Sequence, residues 1–204
     1  VAADDVAALA AEVRAGRDIV VPQPTCGYVL KQDYVAYVGG DDARLVAEHT
    51  YDACEYLMKV HKGEGTSLDT EFHGEVPASI AYHTPCHLKA QNIGLKSRDL
   101  MKLTGATIKV VQQCSGIDGM WGLRAENAEI SVPIAKKLAA EIAKTGCTTI
   151  AGDCHLANNA ITEQNDAEPI TVGGSFQDLS GIEQGIESVG QTEGADVTGH
   201  KLTL

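Results

Sequence analysis

Ser79-Ile80-Ala81-Tyr82-His83-Thr84-Pro85-Cys86-His87 is the stretch whose reading decides the fold. Its first four residues follow Pro77 and make a short apolar run suited to a buried strand, with a cysteine just beyond that strand's carboxyl end. The pattern recurs downstream. A helix is expected over 97–103, and a strand over 107–111 leads into Gln113-Cys114-Ser115-Gly116-Ile117-Asp118-Gly119. A helix over 127–144 and a strand over 147–151 then lead into Gly152-Asp153-Cys154-His155. Strands separated by helices imply an α/β fold with a mainly parallel sheet.

Upstream of this stretch, Val6, Leu9, Ala10 and Val13 stand at helical spacing, Asp18 to Val21 reads as a short buried strand, and Pro22-Gln23-Pro24 reads as a loop. A single helix is expected over 43–60, and the Gly-rich polar stretch 61–76 reads as a mobile linker. The chain also repeats itself. Leu9-Ala10-Ala11-Glu12-Val13, a strand and Cys26 parallel Leu138-Ala139-Ala140-Glu141-Ile142, a strand and Cys154. The expected architecture is therefore two pseudo-symmetric parallel-sheet α/β repeats. The first, 1–60, holds only the last part of a repeat, so the chain is expected to begin inside a domain; the second spans 77–162. Residues 163–204 carry eight acids against one lysine, with seven glycines, and read as a loosely ordered acidic tail in which a pairing strand over 201–204 stays open.

The chain has 204 residues, 44% of them hydrophobic, enough for one sizeable core or two small ones. A formal charge of −12 at pH 7 argues against nucleic acid as a partner, because phosphate neutralisation needs clustered Lys and Arg. No apolar run approaches the roughly 20 residues of a membrane-spanning helix, and the acidic start VAADDVAALAAEV is unlike an export signal. Six cysteines are too sparse for a disulfide-stapled secreted fold, so reduced thiols in the cytoplasm are expected, available as ligands for soft metals.

Cys86, Cys114 and Cys154 each follow a strand of one parallel sheet, and loops at the carboxyl ends of such strands form the usual sites of open α/β sheets. If the strands are neighbours, the three thiols should converge along one edge. Gly116 and Gly119 would let the backbone pass close to a bulky inorganic core, with peptide N–H groups available to sulfide. Cys54, within a helix, and Cys147, within a strand run, read as ordinary buried cysteines. His83, His87 and His155 flank the three thiols and are read as hydrogen-bonding neighbours of a metal centre rather than its ligands. His49, His61, His73 and His200 read as solvent-facing.

His83-Thr84-Pro85-Cys86-His87, Cys114-Ser115-Gly116-Ile117-Asp118-Gly119 and Asp153-Cys154 together resemble the second repeat of the cysteine-rich CCG domain family, and Pro24-Thr25-Cys26-Gly27-Tyr28-Val29-Leu30-Lys31 resembles the end of a first repeat. That family includes the B subunit of heterodisulfide reductase, the C subunit of anaerobic glycerol-3-phosphate dehydrogenase, and the iron–sulfur subunits of glycolate and lactate oxidation. The likeness covers 1–162. It implies an iron–sulfur cluster, [4Fe-4S] in type, held by Cys86, Cys114 and Cys154. It further implies an electron-transfer component, not itself catalytic, of an oxidoreductase complex. Such a component takes electrons from a flavin-containing dehydrogenase subunit, works beside other iron–sulfur subunits, and passes electrons towards a quinone or another carrier. The setting implied is cytoplasmic, with membrane association through the complex.

This chain departs from the family pattern at defined places. The family's paired cysteines are Cys114-Ser115 here, and its Cys-x-x-Cys is Ala151-Gly152-Asp153-Cys154 in one repeat and Gln23-Pro24-Thr25-Cys26 in the other. The thinning resembles the glycerol-3-phosphate dehydrogenase type. Three thiols support an ordinary cluster with a fourth outside ligand, or a zinc site. Cys26, His87, His155 and Ser115 are the candidates for the fourth position, with Cys26 preferred because thiolate matches iron. Two other readings stay open: a structural zinc-binding or metal-free interaction module with relic cysteines, and a thiol/disulfide reductase, against which the missing thiol at Ser115 counts.

Overall fold

The computed structural model describes residues 1–65, 67–165 and 169–172. In chain order the elements are helix α1 (Ala2–Arg14), strand β1 (Ile19–Val21), helices α2 (Pro24–Tyr28), α3 (Tyr34–Tyr37) and α4 (Gly40–Glu48), strand β2 (Thr50–Asp52) and helix α5 (Ala53–Lys62). Then come strand β3 (Ser79–His83), helices α6 (Cys86–Ala90) and α7 (Lys96–Lys102), strand β4 (Thr107–Val111), helix α8 (Ala128–Thr145), strand β5 (Thr149–Gly152), helix α9 (His155–Gln164) and strand β6 (Ile170–Thr171).

The α/β class and its parallel sheets are as the sequence implies. Four strands lie in the order β4-β3-β5-β6, every pair parallel, and β1 and β2 form a separate parallel pair. β3 is central, and Ile80, Ala81, Tyr82 and His83 are all buried, as expected of a strand covered on both faces. Its alternation sorts the core into two layers. Ile80 and Tyr82 pack with Cys54 and Met58 of α5 and with Leu100 and Met101 of α7. Ala81 packs with Ile150, with Leu138 and Ile142 of α8, and with Ile161 of α9. α5, from the first part of the chain, thus covers one face of the larger sheet. α8 closes on Gly146 at φ 66°, the left-handed position that glycine adopts without a Cβ penalty.

In both parts of the chain a helix, a strand and a second helix are followed by a strand parallel to the first, directly for α8-β5-α9-β6 and with α3 and α4 intervening for α1-β1-α2 and β2. Two local expectations need correction. The single helix over 43–60 is two helices broken by β2. Val46 and Cys54 are eight residues apart, a spacing that fits one continuous helix, so apolar periodicity bridges the break. The break itself is made by polar chemistry. Thr50 Oγ1 donates to Val46 O at 2.6 Å, and Asp52 caps α5 by accepting from the amides of Cys54 (2.9 Å) and Glu55 (3.3 Å), while Glu55 accepts from the Asp52 amide. This is a capping box, a motif that starts a helix. The loop expected over Pro22-Gln23-Pro24 is present at Pro22 and Gln23 but ends one residue early, where Pro24, in a first turn that makes its missing N–H harmless, opens a helical run to Tyr37 through a π-helical turn at Val29–Asp33.

The tail boundary expected at 163 falls within α9, and Ile170–Thr171 adds a strand to the sheet beside β5. Residues 173–204, including the candidate strand at 201–204, lie outside the described residues. Among the described residues no helix is long and apolar enough to cross a membrane.

Candidate metal centre

β3, β4 and β5 are neighbours running the same way, so the residues beyond their carboxyl ends emerge on one edge of the sheet. Cys86 opens α6 after the Pro85 cap, Cys114 lies in the turn after β4, and Cys154 caps the amino end of α9. All three line one cleft of about 450 Å3, together with His83, His87, Ser115 and Gly116. Cys86 and Cys114 are exposed and Cys154 is half-buried. The amide of Gly116 donates to Cys114 Sγ at 3.3 Å. The start of α9 adds the positive end of a helix dipole beside Cys154. The rest of the lining is largely apolar, with Pro85, Ile117, Trp121, Ile130, Ile134 and Leu156.

Three thiols around an apolar cleft, one already accepting a peptide hydrogen bond, form a donor set suited to a soft metal or an iron–sulfur cluster. Among the described residues no three His, Cys, Asp or Glu side chains already stand as a chelate for a single ion.

Gly116 has a role different from the one its sequence context suggests. At φ 80°, a Cβ there would meet Ser131 O of α8 at 2.5 Å, so the close approach it permits is between the Cys114 turn and α8. Gly122 is constrained likewise, with a Cβ only 2.3 Å from Gly116 O. These two glycines let the turn carrying Cys114 fold flat against the helix.

His83 is buried, and its Nε2 pairs with Gln113 O at 3.0 Å, tying β3 to the residue before Cys114. The acceptor is a carbonyl, so Nε2 carries the proton. Burial pushes the imidazole down to about 4, so the ring is neutral at pH 7. His87 lines the cleft, whereas His155 is exposed and does not. Cys26 lies on α2, exposed, and the cleft is reached instead by its neighbour Thr25. α2 packs on α6, so Cys26 and Cys86 sit on adjacent helices. Cys54 is buried in the core and Cys147, just before β5, is only half-buried. Of the histidines read as solvent-facing, His49 has its side chain 43% exposed beside Asp18 (3.1 Å) and His73 is exposed, whereas His61 is half-buried with a buried Nδ1, and His200 lies outside the described residues.

The sequence reading missed a buried acidic pair behind the site. Asp153, next to Cys154, accepts a hydrogen bond from the Tyr82 hydroxyl, and burial raises its carboxyl to about 7. Asp52, at the end of β2, is raised to about 6 by burial, offset in part by the amides it caps. Each lies within electrostatic reach of the buried Cys54 thiol. Only the position of Asp153 beside a strand-end cysteine hinted at this, since burial depends on how the two parts of the chain pack.

Residues 80–161 match the family model of a cysteine-rich domain, CCG. Over 162 residues the chain is 28% identical to the C subunit of anaerobic glycerol-3-phosphate dehydrogenase from Escherichia coli (strain K12) and to the protein of the same name from Escherichia coli O157:H7. The matches cover 77% of this chain and 40% of each relative, so the chain corresponds to less than half the length of the curated relatives it matches.

Proposed function

We propose that this domain binds an iron–sulfur cluster, [4Fe-4S] in type, through Cys86, Cys114 and Cys154, and serves as an electron-transfer component of a dehydrogenase complex. The observation that carries this reading is that three thiols, each beyond the end of a neighbouring parallel strand, line one cleft. When bound, the cluster supplies one-electron transfer. The chain's own residues hold it with three thiolates, donate a hydrogen bond from Gly116 N to Cys114 Sγ, and exclude water with Pro85, Ile117, Ile134 and Leu156. Cys26, on the helix packed against α6, is the thiolate candidate for a fourth position.

A flavin-containing dehydrogenase subunit as electron donor, other iron–sulfur subunits beside it, a quinone or other carrier as acceptor, and a cytoplasmic setting with membrane association through the complex complete the proposal. Metal and sulfide analysis of protein prepared without oxygen tests it. Iron with acid-labile sulfide and visible absorption is the expected result. Stoichiometric zinc in colourless protein, or no metal, replaces it with the structural-module reading.

A further inference from the structure

The first part of the chain touches the proposed cluster cleft through one side chain whose chemistry is specific. Thr25 of α2 lines the cleft, and its Oγ1 lies 3.0 Å from Nδ1 of His87, the residue after Cys86. The seam that brings them together is built from both sides. Gln91 donates from Nε2 to Pro24 O at 2.9 Å. Gly27 presents no side chain where a Cβ would come within 3.2 Å of Gln91. The Tyr28 ring lies against the His87 ring with centroids 5.2 Å apart. His87, a residue of the cleft lining, is therefore held by a hydrogen bond at Nδ1 and by a ring contact, which leaves Nε2 as its remaining polar ring atom.

A threonine hydroxyl can donate or accept here. Donation to Nδ1 leaves the proton on Nε2, which is also the tautomer that an isolated imidazole side chain favours, so the two preferences agree. We propose that Thr25 is a positioning residue for the cluster site: its hydroxyl donates to His87 Nδ1 and holds Nε2–H towards the cleft as a hydrogen-bond donor to cluster sulfur. An N–H···S bond favours the more negative, reduced cluster and so raises its reduction potential. Thr25 would then let the first part of the chain set the potential of a centre held by the second. This inference rests on the cluster reading above.

The test uses the full chain and the isosteric variant Thr25→Val beside the conservative Thr25→Ser. In metal-free protein, at a pH where His87 is neutral, imidazole 15N NMR should show His87 with bare Nδ1 and protonated Nε2. That state should persist in Thr25→Ser and give way to mixed tautomers in Thr25→Val. In cluster-loaded protein, Thr25→Val should keep its iron and show a more negative midpoint potential, with Thr25→Ser close to the parent. A protonated Nδ1 in the parent, or a Thr25→Val protein with unchanged tautomer and potential, overturns the proposal. If the parent takes up no iron and sulfide, the cluster reading itself fails, and the tuning role fails with it. The NMR result would still decide whether Thr25 orients His87.

Discussion

Tyr82 on β3 donates its phenol hydrogen bond to Asp153 Oδ2 at the end of neighbouring β5, in the buried layer behind the three thiols. The other oxygen of that carboxyl, Oδ1, has no hydrogen-bond partner among the described residues. The Tyr82 hydroxyl is therefore the carboxyl's main support, and Tyr82→Phe leaves a buried acid without it. The expected cost is about 1–3 kcal/mol of unfolding free energy, read by urea denaturation.

The raised carboxyls make stability fall with pH. Asp52 moves from its ordinary 3.8 to about 6, and Asp153 from 3.8 to about 7. A group whose folded value is raised binds its proton more tightly when folded, so its contribution is complete below the unfolded value and is lost as pH rises through the folded one. His83, held down to about 4 from its ordinary 6.5, works the other way between those values, so stability of the metal-free chain should show a net decline between about pH 4 and 7 only because two carboxyls outweigh one imidazole. Asp52→Asn retains an oxygen to cap α5 and removes one titrating group, so it should flatten that decline. Denaturation series at four pH values decide it; an unchanged slope in Asp52→Asn shows that Asp52 is not the source.

Gly116→Ala forces a methyl group to within 2.5 Å of Ser131 O in a left-handed backbone conformation. Neither the carbonyl of α8 nor the turn can yield without the other, so a loss of about 2 kcal/mol or more is expected. Gly119→Ala has a positive φ but nothing within 4 Å of the added methyl, so it should cost less, about 1 kcal/mol. Thermal unfolding of the two variants side by side checks the order.

Much of this fold is legible from strand-forming runs such as Ser79 to Tyr82 and from the helices between them, because burial on both faces of a parallel sheet selects short apolar runs. The placement of Cys86, Cys114 and Cys154 on one edge follows from the same alternation. What escapes is set by polar chemistry and by distant packing. β2 hides within a helical apolar spacing because Asp52 and Glu55 start a new helix there. The acidic pair gains its character only when α5 closes over Tyr82, and no local pattern around Asp52 reports that. Gly116 looks like a glycine making room for a cluster, whereas its close neighbour is α8, fifteen residues further along the chain at Ser131.

The most direct measurement compares Cys114→Ala with Cys147→Ala, both prepared without oxygen and assayed for iron, acid-labile sulfide and visible absorption. Cys114 lies in the cleft with Gly116 N on its sulfur, whereas Cys147 is half-buried before β5 and absent from the cleft lining. The account predicts that Cys114→Ala loses the cluster and its colour and melts at a lower temperature, since metal binding is linked to folding. Cys147→Ala should keep both, with a small packing loss at most. Full iron and sulfide content with an unchanged spectrum in Cys114→Ala would contradict the account.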